Sequence, residues 1–143
     1  MPVTYTLDNG NGYSTTVTIT ASASGATVAY EVKPTAGGNA IYTGNYTFSV
    51  STTTTGSYNY DGTASWNLPA PTSYSGSSTT HLSTTDLTGG LSAMSGTITA
   101  TAGAITATLN LSNGAFSGQV QQGSTAYGSF SGNTTSGVVY TAN

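Results

Sequence analysis

Apolar residues recur at every second position of this chain, in short runs separated by glycine and asparagine. Val3, Tyr5 and Leu7 alternate with polar residues ahead of Asp8-Asn9-Gly10-Asn11-Gly12, and Thr15, Val17, Ile19 and Ala21 then continue on one face, with Thr16, Thr18 and Thr20 on the other. A period of two is the strand period, and an Asn-Gly-rich break between two such runs predicts a hairpin. Val28, Tyr30 and Val32 form the next run, ended by Pro34 and Gly37-Gly38. Tyr42, Tyr46, Phe48 and Val50 follow. The stretch Tyr58-Asn59-Tyr60-Asp61-Gly62 reads as a turn before Ala64, Trp66 and Leu68. Residues 69–95 mix Pro69, Pro71, Gly76 and Gly89-Gly90 with serine and threonine, and read as a long excursion with little regular structure. Alternation returns with Ile98, Ala100 and Ala102, then Ile105, Ala107, Leu109 and Leu111 beyond Gly103, and ends with Phe116, Val120, Tyr127, Phe130, Val138 and Tyr140. No stretch has helical period. The pattern predicts a single all-β domain over residues 1–143, an antiparallel sandwich or small barrel of about eight to ten short strands.

Composition changes this picture in one respect. Charged residues are 3% of the chain, against about a quarter in an ordinary soluble domain. Asp8, Glu31, Lys33, Asp61 and Asp86 are the whole inventory, so hydroxyls and amides must cover the surface. One lysine and no arginine cannot neutralise a run of phosphates, which excludes nucleic acid as a partner. The same deficit argues against anionic membrane surfaces, and no apolar run approaches the roughly 20 residues that cross a bilayer, so no membrane insertion is expected. The N-terminal stretch has neither a basic region nor an apolar one, so no signal peptide is visible. Sheet proteins usually guard their edges with lysine, inward charge or proline. Here such guards are nearly missing, so the edges are either closed into a barrel or meant to be used.

Candidate chemistry is sparse. His81 lies five residues before Asp86, but any serine would complete a triad with them and no G-x-S-x-G pattern occurs, so no catalytic residue is assigned. The absence of cysteine and the scatter of the carboxylates give no metal site and no cofactor. Asp8 with Asn9 and Asn11 offers oxygen ligands, yet lacks the calcium-loop spacing and is explained by a turn. Tyr58, Tyr60, Trp66 and Tyr74, with His81, are the candidate ligand-binding residues, because aromatic rings beside amides make carbohydrate-binding faces. Trp66 in the alternating run ASWNL also suits a core position. The ladders Thr97, Thr99, Thr101 and Thr16, Thr18, Thr20 evoke ice-binding surfaces, which need long flat rows, whereas each of these is three residues deep.

The final quarter, NGAFSGQVQQGSTAYGSFSGNTTSGVVY, resembles the closing strands of the small barrel domains of transferrin-binding protein B and related surface lipoproteins. Gly128, Phe130 and Gly132 match a G-x-F-x-G strand, and Gly137, Val138 and Tyr140 match the Gly-led last strand. The proline and acidic residues usual in the intervening loop are missing, as is a lipidated cysteine. The resemblance implies a barrel of about eight strands that captures a host protein or a small ligand such as haem, and carries over no binding residue.

These readings converge on a non-enzymatic, extracellular, cell-surface or virion protein that assembles with copies of itself into a filament, matrix or shell. The alternative is a monomeric barrel or sandwich that binds carbohydrate, haem or a host protein. Uncharged, alternating strands at the chain ends are the candidate assembly strands, carried by Val3, Tyr5 and Leu7 at one end and by Val138, Val139 and Tyr140 at the other.

Overall fold

A computed structural model describes residues 1–53, 56–69, 71 and 73–143. The chain is all-β, in one antiparallel sheet of eleven strands whose spatial order is their sequence order. The strands are β1 Pro2–Asp8, β2 Tyr13–Ala21, β3 Gly25–Pro34, β4 Tyr42–Thr52, β5 Tyr58–Leu68, β6 Tyr74–Thr84, β7 Ser95–Ala102, β8 Ile105–Ser112, β9 Ala115–Gln122, β10 Thr125–Asn133 and β11 Gly137–Ala142. Tight turns set the register of the C-terminal half. Asn113 and Gly114, with φ of 47° and 87°, join β8 to β9 in a two-residue connection that requires positive φ at both positions. One turn of 3-10 helix, Gly90–Ala93, lies in the connection from β6 to β7. Among the described residues no helix is long and apolar enough to cross a membrane.

Side chains alternate across a strand, so the register sorts the whole sheet into two faces. Val17 pairs with Tyr30, Tyr30 with Gly44, Gly44 with Trp66 and Trp66 with Gly76, and this face stays apolar through Ala102 and Ile105. The other face is threonine, serine and asparagine, together with Asp8, Glu31, Lys33 and Asp61. Among the described residues no second sheet covers either face. Among the described hydrophobic residues only Leu82 and Leu111 are buried, at 5% and 3% exposure.

Contacts along the apolar face take the place of a core. The rings of Tyr30, Trp66 and Phe130 lie over Gly44, Gly76 and Gly118 on the adjoining strands, so closely that a methyl group on any of these glycines would enter the ring. Each of these glycines is the direct cross-strand partner of its aromatic residue. Tyr140 covers Gly128 in the same way. Between these sites the rings touch one another: Phe48 and Tyr60 stack with centroids 5.6 Å apart, and Tyr30 and Tyr42 lie 5.4 Å apart. At one end the 85–94 connection folds back, and Leu87 and Met94 close a cavity of about 50 Å³ with Val50, Tyr58, Tyr60 and Leu82. The buried Thr84 fixes that connection, its hydroxyl lying 3.0 Å from the Asp86 carbonyl and 2.9 Å from that of Ala93.

Four expectations change. The chain makes neither two facing sheets nor a closed barrel, and has eleven strands rather than eight to ten. A sandwich needs connections that pass between sheets, but every connection here joins neighbours in one sheet. Closure would have to join β1 and β11, which run in the same direction. Residues 69–95 contain the eleven-residue strand β6, hidden from sequence because its apolar-face positions are mostly small or polar: Gly76, Ser78, Thr80 and Thr84. Tyr58–Gly62 is likewise part of β5 and not a turn. Ahead of β5, Thr53 donates its N–H to the Ser57 carbonyl at 2.8 Å; residues 54 and 55 lie outside the described residues.

If rings over glycines support the sheet, Gly76→Val forces Trp66 off its strand and destabilises by about 1–3 kcal/mol, the usual cost of overpacking. Urea unfolding followed by circular dichroism measures this, and Ser78→Val, two residues along the same face and paired with Ala64 and Ala100, is the control.

Candidate functional site

The two terminal strands are the two edges of the sheet. Both are exposed along their full length. Val3, Tyr5, Leu7, Val138 and Tyr140 lie on the apolar face, while Val139 lies on the polar one, opposite Ser131.

Hydrogen-bond alternation shows which backbone groups of each edge are free. In an antiparallel pair, residues that exchange bonds with the neighbouring strand alternate with residues whose N–H and C=O point away from it. Asn9 donates its N–H to the Tyr13 carbonyl at 2.9 Å, so Val3, Tyr5 and Leu7 turn inward to β2, and Thr4 and Thr6 turn outward. Asn143 donates to the Tyr127 carbonyl at 2.8 Å, so Val139 and Thr141 turn inward to β10, and Val138 and Tyr140 turn outward. Each edge therefore offers a row of backbone donors and acceptors. Apart from Pro2 and Asp8 at the ends of β1, neither strand carries a charge or a proline.

The candidate ligand-binding residues are divided by the sheet. Tyr58, Tyr60, Trp66 and Tyr74 share the apolar face, and His81 is on the other side, paired in register with Asp61. His81 Nδ1 and Asp61 Oδ1 are 2.5 Å apart, and both side chains are more than half exposed. Thr97 neighbours His81 across the next strand pair, but its hydroxyl donates to Asn110 Oδ1 at 3.3 Å. The Asp61–His81 pair thus has no hydroxyl directed at it from Thr97. The cavity beside Tyr58 and Tyr60 is far smaller than the roughly 300–1,000 Å³ of a usual ligand pocket. Asp8 accepts the Gly10 N–H at 2.8 Å, the turn role inferred from sequence.

Register also reveals a feature that no single strand displays. Thr20, Thr27, Thr47, Thr63, Thr79, Thr99 and Thr108 occupy one row across seven consecutive strands, β2 to β8. Adjacent threonines in such rows bond to each other where geometry allows, as Thr27 and Thr47 do at 3.2 Å. Sequence shows threonine at alternate positions within strands, and only the turn lengths determine that they align between strands.

On the apolar face two tyrosine pairs are electrostatically linked. The Tyr30 and Tyr42 hydroxyls are 3.1 Å apart, and this bond, then partial burial, pushes the Tyr30 hydroxyl from 10.0 up to about 12. Burial, followed by its bond to Tyr46, also pushes Tyr60 up. In the connection, Asp86 is held below the usual carboxylate value by the Thr88 hydroxyl, which donates to Oδ1 at 2.6 Å, and by the Thr88 N–H. Comparison of the chain with family models, with curated proteins and with solved structures returned no match in any of the three.

A hydroxyl whose value is raised by folding contributes stability that is complete below its unfolded value and is lost as pH rises through its folded one. Stability should therefore hold constant as pH approaches 10.0 and decline from there to about 12, as denaturant midpoints would record. Tyr42→Phe should move the Tyr30 ionisation back toward 10.0, read from phenolate absorbance. His81→Ala removes an exposed pair and should cost no more than about 1 kcal/mol.

Proposed function

We propose that this chain is a non-enzymatic structural subunit that polymerises edge to edge, building an extracellular or surface filament, matrix or shell. The observation that carries the reading is that β1 and β11 are the two edges of one open sheet. A unit with one free edge forms a dimer and stops, whereas a unit with two extends without limit, because a heterologous contact that does not close generates a fibre.

Strand direction specifies the joint. An antiparallel series of eleven strands ends in the direction in which it began, so copies related by simple translation bring β11 beside β1 in parallel. In a parallel pair, each residue with groups directed across the joint bonds to the two residues flanking its opposite number. Val138 and Tyr140 on one side, and Thr4 and Thr6 on the other, are placed for that pattern while the apolar and threonine faces both continue across the joint. Reversing one copy to make β11–β1 antiparallel would set threonine beside the apolar face. The scarcity of charge removes the repulsion by which soluble sheets avoid this contact. Main-chain bonding supplies the affinity, as in other strand-addition complexes.

Proline at an outward position deletes a donor on the edge without breaking a bond inside the sheet. Thr4→Pro and Val138→Pro should each abolish fibres seen by negative-stain microscopy, with circular dichroism unchanged. An equimolar mixture of the two keeps one intact β1 and one intact β11, so energy transfer between labelled copies should rise in the mixture above that of either variant alone. Fibres that persist in the Thr4→Pro, Val138→Pro double variant would refute edge pairing.

A further inference from the structure

Among the described residues no second sheet covers the aromatic face, and we infer that a second copy supplies it, two sheets packing apolar face to apolar face about a two-fold axis. The inference rests on the proposed self-association and adds to it an interface separate from the edges.

Area is the first argument. The chain exposes 8643 Å², whereas a compact monomer of 14.2 kDa exposes about 6,800 Å². The surplus of about 1,800 Å² is more than twice the roughly 800 Å² that each partner contributes to a stable interface of standard size. A sheet that is apolar on one side is ordinarily buried against another element, and the described residues hold, besides strands, only the single 3-10 turn Gly90–Ala93.

Chemistry is the second. Val28, Tyr30, Phe48, Trp66, Ala100 and Leu109 represent the face from β3 to β8, and no charged residue of any strand lies on it. Contact therefore desolvates no ion. The Tyr30–Tyr42 and Tyr46–Tyr60 hydroxyl pairs already satisfy polar groups that the contact would remove from water. Rings lying over glycines keep the face low, which suits two sheets at the usual spacing of about 10 Å.

The same observations favour a copy over a lipid surface. Hydrocarbon cannot satisfy the open backbone edges of β1 and β11. Anionic headgroups need basic residues around the face, and the only lysine, Lys33, is on the opposite side.

The test separates this interface from the edges. Sedimentation of the edge-blocked Thr4→Pro, Val138→Pro protein should give dimers, and adding Val28→Lys, which places a charge at the contact, should give monomers of unchanged circular dichroism. Trp66 provides a second reading that does not depend on the lysine variant folding: acrylamide quenching of the edge-blocked protein should fall several-fold as concentration rises. Edge-blocked protein that stays monomeric at high concentration, or a Trp66 equally quenched at all concentrations, overturns face pairing. Fibres from the unmodified chain alongside monomeric edge-blocked protein would retain the edges and overturn stacking. Edge-blocked dimers without fibres from the unmodified chain would do the opposite.

Discussion

A ring laid across a glycine lets this sheet keep its shape with so little buried between layers. Glycine in a strand normally weakens it, because it contributes no side chain and gains backbone freedom on unfolding. Placed beneath Tyr30, Trp66 and Phe130, it instead provides a recess in which an aromatic side chain is partly buried against its own sheet, while Tyr140 lies over Gly128 and stays exposed. Such aromatic cover of glycine is a recognised means of supporting strands. Its cost is geometric: ring and glycine must face each other across the ladder, directly or on a diagonal, so the turns on both sides must have the correct length.

The opposite face solves a different problem. Threonine has the β-branched shape that strands favour, and its hydroxyl needs no salt to remain soluble. Cross-strand pairs such as Thr4 with Thr18 and Thr6 with Thr16, with oxygens 3.1 and 3.2 Å apart, stabilise by about 0.2–1 kcal/mol each. Few of these contacts depend on ionic strength. The exceptions are the Glu31–Lys33 bridge at 2.7 Å and the Asp61–His81 pair, both exposed, which leave the sheet little affected by screening.

Much of the fold was legible where apolar side chains alternated. The β1–β2 hairpin around Asp8–Gly12 and the β7–β8 hairpin around Gly103 follow from period and turn residues alone. The β6 strand was not legible, since Gly76, Ser78 and Thr80 carry no apolar signal and its pairing with β5 and β7 decides its conformation. Nor was the number of layers: alternation states that one face is apolar and does not state what covers it. The candidate assembly residues could be named from their position at the chain ends, but the outward roles of Thr4, Thr6, Val138 and Tyr140 required the ladder. Grouping His81 with Tyr58 and Tyr60 failed because residues near in sequence, on strands that pair, can still point to opposite sides.

Every substantial strand–strand contact in this molecule joins elements that are consecutive along the chain. Its energetics are therefore those of a one-dimensional array, in which free energy accumulates one hairpin at a time and each interface can close before the next is made. Such an array frays from its ends, and amide exchange should deepen smoothly from β1 and β11 toward the middle, with no single cooperative core. Evolution can likewise lengthen or shorten it by whole hairpins, since no distant partner has to change in compensation.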